Sequence, residues 1–470
     1  MSTFIQTVFR DNRLSEASRR KRKVFHSVDV LSGRILYSKE AQAWPDFERQ
    51  LAALRRAQQA FAARPVTERA ALLRDLADKL AQARSRLAEM VCEEVGRCLR
   101  ECEAELDKSV ALIRYYVRLA PQLLAHKTIA TQASLSQVRF EPIGVVLAVM
   151  PWNYPVWQVL RFAVPALCAG NACLVKPAPS VARVTAALFE LVGEHLPFQA
   201  AWLDHDDTLR AIEHTDAMAF TGSTATGRRL AAHAGQHLKK SVLELGGSNA
   251  FIVMPDADLA AAAKEACYSR FRDAGQSCNA AKRIIVAEAV ADEFMPLFLA
   301  ECAKLQMGNP MDAATTLAPL HREDLRVRVH AQVQDALAHG AKALCGGELP
   351  EGSGWFYPAT VLDKVTPACR VYHEEVFGPV AVLLRARDEA HAVELANDNP
   401  FGLGASIYSA DAAQAWHYAE QLQTGAVFIN RHTSSDLRLP FGGVKASGYG
   451  RELSEFGLYE FVNVKSYWQK

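Results

Sequence analysis

Three stretches of the chain carry side chains fit for chemistry. In Gly275-Gln-Ser-Cys278-Asn-Ala-Ala-Lys-Arg283 a cysteine sits among small and polar residues just ahead of an apolar run. Small neighbours let a substrate reach the sulfur and polar backbone solvates a thiolate, the two things a nucleophilic cysteine needs. In Ser241-Val-Leu-Glu244-Leu-Gly-Gly-Ser-Asn-Ala250 a glutamate stands beside a glycine pair between two apolar stretches. Partial burial there raises a carboxyl pKa towards the range useful for a general base. Phe220-Thr-Gly222-Ser223-Thr-Ala-Thr-Gly227 leads from an apolar run into a helical one. Glycine lets backbone approach a phosphate, and the helix start offers N–H donors. The spacing is not G-x-G-x-x-G, so it reads as a looser pyrophosphate grip with fewer contacts. Singly, the first two stretches also have a plain structural reading: a packed thiol and a surface glutamate at a turn.

The elements that must hold these residues follow from hydrophobic periodicity. From Trp44 to about His126 apolar residues recur at helical spacing, as in Leu51, Leu54, Ala57 and Phe61, then Leu72, Leu73, Leu76 and Leu80 after Pro65. From Phe140 the pattern becomes short unbroken apolar runs, Gly144–Met150, Ala172–Val175 and Ala217–Phe220, which read as buried parallel strands. Helical stretches Trp157–Cys168 and Val181–Leu196 separate them. Further runs at Phe251–Met254, Lys282–Val286, Val380–Leu384 and Gly425–Asn430 start a second such unit near residue 246. Strand and helix in alternation predict α/β doubly wound sheets.

Composition narrows the function. The chain has 470 residues, half of them hydrophobic, and 53 basic against 52 acidic side chains give a net charge of +1. That balance argues against a nucleic-acid partner, and no apolar run is long enough for a membrane helix. The ten cysteines are neither dense nor regular, which suits reduced thiols and a cytoplasmic setting. No stretch of signal-peptide type opens the chain. Cys98 and Cys102 share a helix face but lack a second ligand pair, so they read as packed thiols and no metal site is expected. The run Arg19-Arg20-Lys21-Arg22-Lys23 reads as a solvated basic N-terminal extension over 1–26, and Asp11 and Glu16 count against a mitochondrial presequence.

Seven motifs in one order carry a resemblance. They are Met150-Pro-Trp152-Asn153-Tyr-Pro155, Leu174-Val-Lys176-Pro177, the Thr221-Gly222-Ser223 loop, Glu244-Leu-Gly-Gly, Gly275-Gln-Ser-Cys278, Glu374-Glu375-Val-Phe377-Gly-Pro379 and Pro440-Phe-Gly-Gly-Val-Lys445. From about residue 27 to its end the chain resembles the aldehyde dehydrogenase superfamily. The resemblance implies that Cys278 attacks an aldehyde, that Asn153 and the Cys278 backbone N–H stabilise the oxyanion, and that Glu244 activates water for thioester hydrolysis. A branch that passes the acyl group to coenzyme A lacks this glutamate, so free acid is the expected product. The cofactor, NAD or NADP, is expected against Trp152, Asn153, Lys176, Pro177, Ala178, Pro179, Gly222, Ser223, Leu245, Glu375 and Phe377. Lys176 and Glu375 are implied for ribose hydroxyls, Ser223 for the pyrophosphate, and Phe377 for the nicotinamide wall. NAD-preferring branches often place a glutamate three residues after the lysine. Pro179 stands there, followed by Ser180, so NADP should be tolerated.

Arg161 lies eight residues after Asn153 and Arg272 six before Cys278. An arginine fork suits a carboxylate, and the pair is similar to that of succinate semialdehyde dehydrogenases, with Ser435 in the loop Thr433–Arg438 as a further polar contact. Gly448-Tyr-Gly-Arg-Glu-Leu453 is similar to the short bacterial form of that enzyme. Trp157 could narrow the tunnel or pack in the core. The expected reaction is oxidation of succinate semialdehyde to succinate. The alternatives are glutarate semialdehyde, an uncharged aldehyde, or a non-catalytic protein retaining the fold. The implied architecture is an aldehyde dehydrogenase-like fold of two doubly wound α/β domains and a small β oligomerisation flap. Residues 27–120 and 142–245 form the dinucleotide-binding domain and 246–440 the catalytic domain. Residues 121–141 and 455–468 form the flap, whose unpaired edge implies a homodimer or homotetramer.

Overall fold

The computed structural model describes residues 22–470, so Arg19, Arg20 and Lys21 of the basic run lie outside the described residues. Arg22 and Lys23, which close that run, are exposed. Within the extension expected over 1–26, Val24–Val28 pairs antiparallel with Ile35–Glu40, and Phe25 is buried.

The helical region resolves into Trp44–Ala62, Val66–Gln82, Arg84–Val95 and Leu99–Leu123. Cys98 stands at the start of the last helix, where its N–H donates to Glu101 Oε2 at 3.1 Å. Cys98 and Cys102 are both buried, and all ten cysteines are free thiols.

The unbroken apolar runs become strands with every residue buried: Val145–Val149, Ala172–Lys176 and Ala217–Thr221. Gly144 drops out of the first. Its φ of +127° and the Asp216 carboxylate, 2.2 Å from where a Cβ would stand, reserve that position for glycine. The helix expected over Val181–Leu196 is shorter, Ala182–Glu190, ending before Gly193. One sheet has the order Gly448–Tyr449, Lys240–Glu244, Ala217–Thr221, Val145–Val149, Ala172–Lys176, Phe198–Ala200. Its central pairs are parallel, and Gly448–Tyr449 joins antiparallel from far along the chain.

A second sheet has the order Lys342–Cys345, Thr360–Asp363, Val380–Ala386, Ala281–Ala287, Asn249–Val253, Ala405–Tyr408, Val427–Ile429. Thr360–Asp363 and Ala405–Tyr408 are only four residues each, too short to show a period in sequence. A third sheet joins Lys127–Thr128, Leu135–Pro142 and Val462–Gln469, with the last strand along one edge. The chain reaches that strand through a short helix, Ser454–Tyr459, where continuous strand was expected from 455. Among the described residues no helix is long and apolar enough to cross a membrane.

These sheets place the chemistry. Lys176 and Glu244 end their strands, the Pro151-Trp152-Asn153 turn follows Val149, and Gly222-Ser223 follows Thr221. All therefore meet at the carboxyl ends of one parallel sheet, where doubly wound folds bind ligands.

Candidate active site

The cysteine loop is held in a strained backbone. Asp273, Ala274 and Gly275 have φ values of +53°, +51° and +70° in succession. Left-handed conformations at non-glycine residues cost of order 1–3 kcal/mol each and persist only where surroundings over-determine them. Here Asp273 supplies the constraint. Its carboxylate takes Arg97 Nε and Tyr154 Oη at 2.5 Å each, and its N–H donates to Glu101 Oε1 at 3.0 Å. Arg97 is buried and also pairs with Glu105, whose other oxygen accepts the Val156 and Trp157 N–H groups at 2.9 Å. One network thus ties the cysteine loop, the helix Leu99–Leu123 and the start of the helix Trp157–Cys168.

Cys278 lies where two cavities meet. The first, about 210 Å³, is walled by Lys108, Tyr154, Trp157, Arg161, Arg272 and Ser435, with Cys278 at its base. It exceeds the roughly 150 Å³ that admits a benzene, which suits a small aldehyde. The second, about 160 Å³, is lined by Trp152, Asn153, Gly222, Ser223, Leu245, Glu375 and Phe377, again with Cys278. Seven of the expected cofactor residues are therefore brought together, and both expected arginines and Ser435 share the other side of the sulfur.

The remaining cofactor candidates stand off. Lys176, Pro177, Ala178 and Pro179 do not line that second cavity. Lys176 is buried with its ammonium 6.0 Å from the Phe25 ring, and burial, with Lys23 nearby, pushes its pKa down to about 8. The stretch reaches the cleft indirectly, since Ser180 Oγ is 2.7 Å from His321 Nε2 and His321 stacks on Trp152 at 4.2 Å. The cleft fits a dinucleotide. Trp152 and Phe377 form an edge-to-face aromatic wall at 5.8 Å, and a Cβ on Gly222 or Gly246 would come within 2.5 Å of Phe220 or Glu375. Ser223 caps the helix Thr224–Gln236 at the mouth.

The electrostatics differ from simple expectation. Cys278 is half-buried, and desolvation pushes its thiol up to about 11 against the pull of Lys282 and Arg161. Asn153 is buried and donates from Nδ2 to Gln276 O at 3.1 Å, which leaves its second amide proton for another acceptor. Glu244 is 3 % exposed and lines neither cavity; its carboxyl faces Gly442, Glu452 and Arg161. Burial and the neighbouring Glu452 hold its pKa well above the usual carboxylate range. Arg161 already has an internal partner, because its Nε pairs with the buried Glu452 and its guanidinium lies 4.9 Å from the Phe441 ring. Arg272 Nε lies 3.3 Å from Asp273 Oδ2. Trp157 is both buried and part of the tunnel wall.

Three residues of this site escape a sequence reading. Lys282 is buried four residues after the cysteine; its ammonium donates to Ser277 O and Cys278 O at 2.9 Å and pairs with Glu375 Oε1 at 3.0 Å. The one mark it bears in sequence is its place four residues after Cys278. Glu452 comes from a turn whose acid could equally face water. Lys108 sits amid ordinary helix residues between Asp107 and Ser109, with no local mark of its place.

The chain matches the aldehyde dehydrogenase family over residues 17–467. It is 44% identical over 409 residues to the NAD(P)+ succinate semialdehyde dehydrogenase Sad of Escherichia coli K12, covering 85% of this chain and 88% of that protein. It is 41% identical over 461 residues to an NADP(+) succinate-semialdehyde dehydrogenase of Deinococcus radiodurans, covering 96% of each. Among solved structures, succinic semialdehyde dehydrogenase from Streptococcus pyogenes with NADP+ as cofactor superposes with a TM-score of 0.92 at 32% identity, over 94% of this chain and 99% of that one.

Proposed function

The chain belongs to the aldehyde dehydrogenase family, and from that premise we propose that it oxidises succinate semialdehyde to succinate with NAD or NADP. The observation that carries this reading is the position of Cys278, shared by a cation-walled cavity and an aromatic cleft. The relatives named for succinate semialdehyde and NADP support the same substrate and cofactor.

Each residue then has a task. Cys278 Sγ bonds to the aldehyde carbon, giving a thiohemiacetal as its proton leaves. Asn153 Nδ2 and the Cys278 N–H are the donors for the new oxyanion; losing one such donor costs about 2.7–4 kcal/mol of barrier. The dinucleotide, which Trp152, Ser223, Leu245, Glu375 and Phe377 would hold, supplies a hydride acceptor. The thioester that remains on Cys278 is hydrolysed by water from which Glu244 takes a proton. Glu244 must first turn from Glu452 towards the sulfur, a rotation that also carries it away from the burial and the like charge that raise its pKa. Arg161 and Arg272 give the tunnel the cationic wall that a substrate with a distal carboxylate needs.

The reading extends to the domains. The sheet containing Val145–Val149 is the dinucleotide-binding layer and the sheet containing Asn249–Val253 the catalytic one. The three-stranded sheet offers an oligomerisation edge, since Val464 and Trp468 of its outer strand are 60 % and 57 % exposed. A cytoplasmic homodimer or homotetramer is the form that follows.

The test is absorbance at the reduced-nicotinamide band with succinate semialdehyde and either dinucleotide, for wild type and Cys278→Ala. Turnover that Cys278→Ala abolishes is expected. Absence of turnover in the wild type with both dinucleotides refutes the reading, and turnover without a dinucleotide would make the protein a thiol esterase.

A further inference from the structure

Away from the sulfur, two imidazoles and a carboxylate converge on one point. Helix Thr224–Gln236 carries His233, and His237 stands one residue past its end, so the two share a helix face at i and i+4. Glu213 lies in the last turn of the neighbouring helix His205–His214. Its Oε1 is 3.1 Å from His233 Nε2 and 3.8 Å from His237 Nε2. One ligand atom from each of the three residues lies within 4.8 Å of the other two. An ordinary ion pair with Glu213 would use a single histidine, so the second ring is surplus to it.

The backbone holds that surplus ring in place. Leu238 follows His237 with φ +52° and is 93% exposed. A left-handed position just past a helix usually belongs to glycine, and this leucine gains no packing there. Leu238 N–H donates to Gly235 O at 3.1 Å and Lys239 N–H to Ala234 O at 2.9 Å, the paired bonds that close a helix end. The chain therefore turns away only after His237, which stays in register with His233.

The donor set fits one ion. Bonds of about 2.0–2.2 Å in a tetrahedron set neighbouring ligand atoms roughly 3.3–3.6 Å apart. The separations of 3.1 and 3.8 Å bracket that range. Two histidines and a glutamate are a zinc ligand set with the fourth corner open to water, whereas calcium and magnesium prefer oxygen alone. Both helices present their C-terminal turns, whose carbonyl dipoles favour a cation. The three side chains are partly exposed, which gives an ion a way in from solvent.

We propose that Glu213, His233 and His237 form a zinc site that staples these two helices together. Each imidazole binds through its Nε2 lone pair with its proton on Nδ1, and any further proton on the three groups leaves to solvent. At 1.5 Å per residue, His233 stands about 15 Å along the helix from Ser223 at the cleft mouth. The staple therefore acts on stability, and it is independent of which aldehyde the protein oxidises. The histidine pair stands in the sequence, but its third ligand comes from another helix 20 residues earlier, so the sequence alone gives no metal site.

The experiment uses tag-free full-length wild type, His237→Gln and Glu213→Gln. Zinc affinity is read by competition with a chromophoric chelator. Copper(II), which binds the same donors more tightly, reports its ligands through the nitrogen hyperfine pattern in paramagnetic resonance. Outer-shell partners alone are worth about 10- to 100-fold in metal affinity, so losing a ligand should weaken zinc by at least about tenfold. Wild type should bind one zinc per chain, and both variants should show that loss. Copper should show two imidazole nitrogens in wild type and one in His237→Gln. Zinc should raise the melting temperature of wild type and not of the variants, whose melting temperatures without zinc check that they fold. No zinc bound by wild type, or unchanged affinity in either variant, as for zinc held by a thiol such as Cys278, overturns the site. A wild-type melting temperature that bound zinc leaves in place overturns the staple.

Discussion

Replacing Lys282 by methionine isolates the charge that acts on the sulfur. The side chain is buried, and its ammonium bridges Ser277 O, Cys278 O and Glu375 Oε1 at 2.9, 2.9 and 3.0 Å. Methionine fills similar volume without the charge. Two losses follow. Glu375, whose side chain is 18% exposed, keeps only the Gly247 N–H at 3.0 Å, and breaking a buried pair costs about 3–5 kcal/mol, with partial exposure favouring the lower figure. Cys278 loses the first of the charges that oppose its desolvation, so its thiol rises further above about 11. An opposite charge at close range moves a pKa by about 1–3, so the thiolate fraction at any fixed pH below the pKa falls about tenfold to a thousandfold. Iodoacetamide capture of Cys278, followed by peptide mass spectrometry between pH 7 and 10, reads that fraction directly, and urea unfolding reads the stability. Slower capture at every pH together with a loss near 3 kcal/mol is expected. Capture at the wild-type rate in a folded Lys282→Met protein would refute the view that this ammonium tunes the sulfur.

Arg161→Met should destabilise the protein by about 3–5 kcal/mol, because it leaves Glu452 buried without its cation; adding Glu452→Gln should recover most of the loss in melting temperature. A normal melting temperature with KM raised only for acidic aldehydes would make Arg161 itself the carboxylate ligand. His321 supplies the pH test. Burial holds its folded pKa down to about 3 against an ordinary 6.5, so above pH 6.5 it costs nothing, and as pH falls from 6.5 towards 3 only the unfolded chain takes up the proton. Wild type should lose roughly 1.4 kcal/mol per pH unit in that window from this group, a slope that urea unfolding should find reduced in His321→Gln.

What sequence makes legible near the sulfur is set by short-range chemistry. Cys278 and Asn153 lie in motifs whose glycines and prolines fix local backbone, and both line the cleft, whereas Glu244, read from a motif of the same kind, lines neither cavity. Length set the limit in the second sheet, where Thr360–Asp363 and Ala405–Tyr408 are too brief to display a period. Gly448–Tyr449 was illegible for another reason: two residues pairing with a strand some 200 positions earlier carry no pattern of their own. The charges were legible by type and not by partner. Arg161 reads as a cation in want of an anion, and only the fold reveals that Glu452 supplies it. Lys108 gives no sign at all, since a lysine on an amphipathic helix is what a solvated face also contains.

The division of cations around one thiol explains why these positions are not interchangeable. Burying a charge without a partner is expensive, so each cation here must answer an anion. Glu375 and Glu452 are acids of the protein itself, and Lys282 and Arg161 pair with them. The same two cations oppose the desolvation that keeps Cys278 protonated at rest, so they favour the thiolate before any substrate arrives.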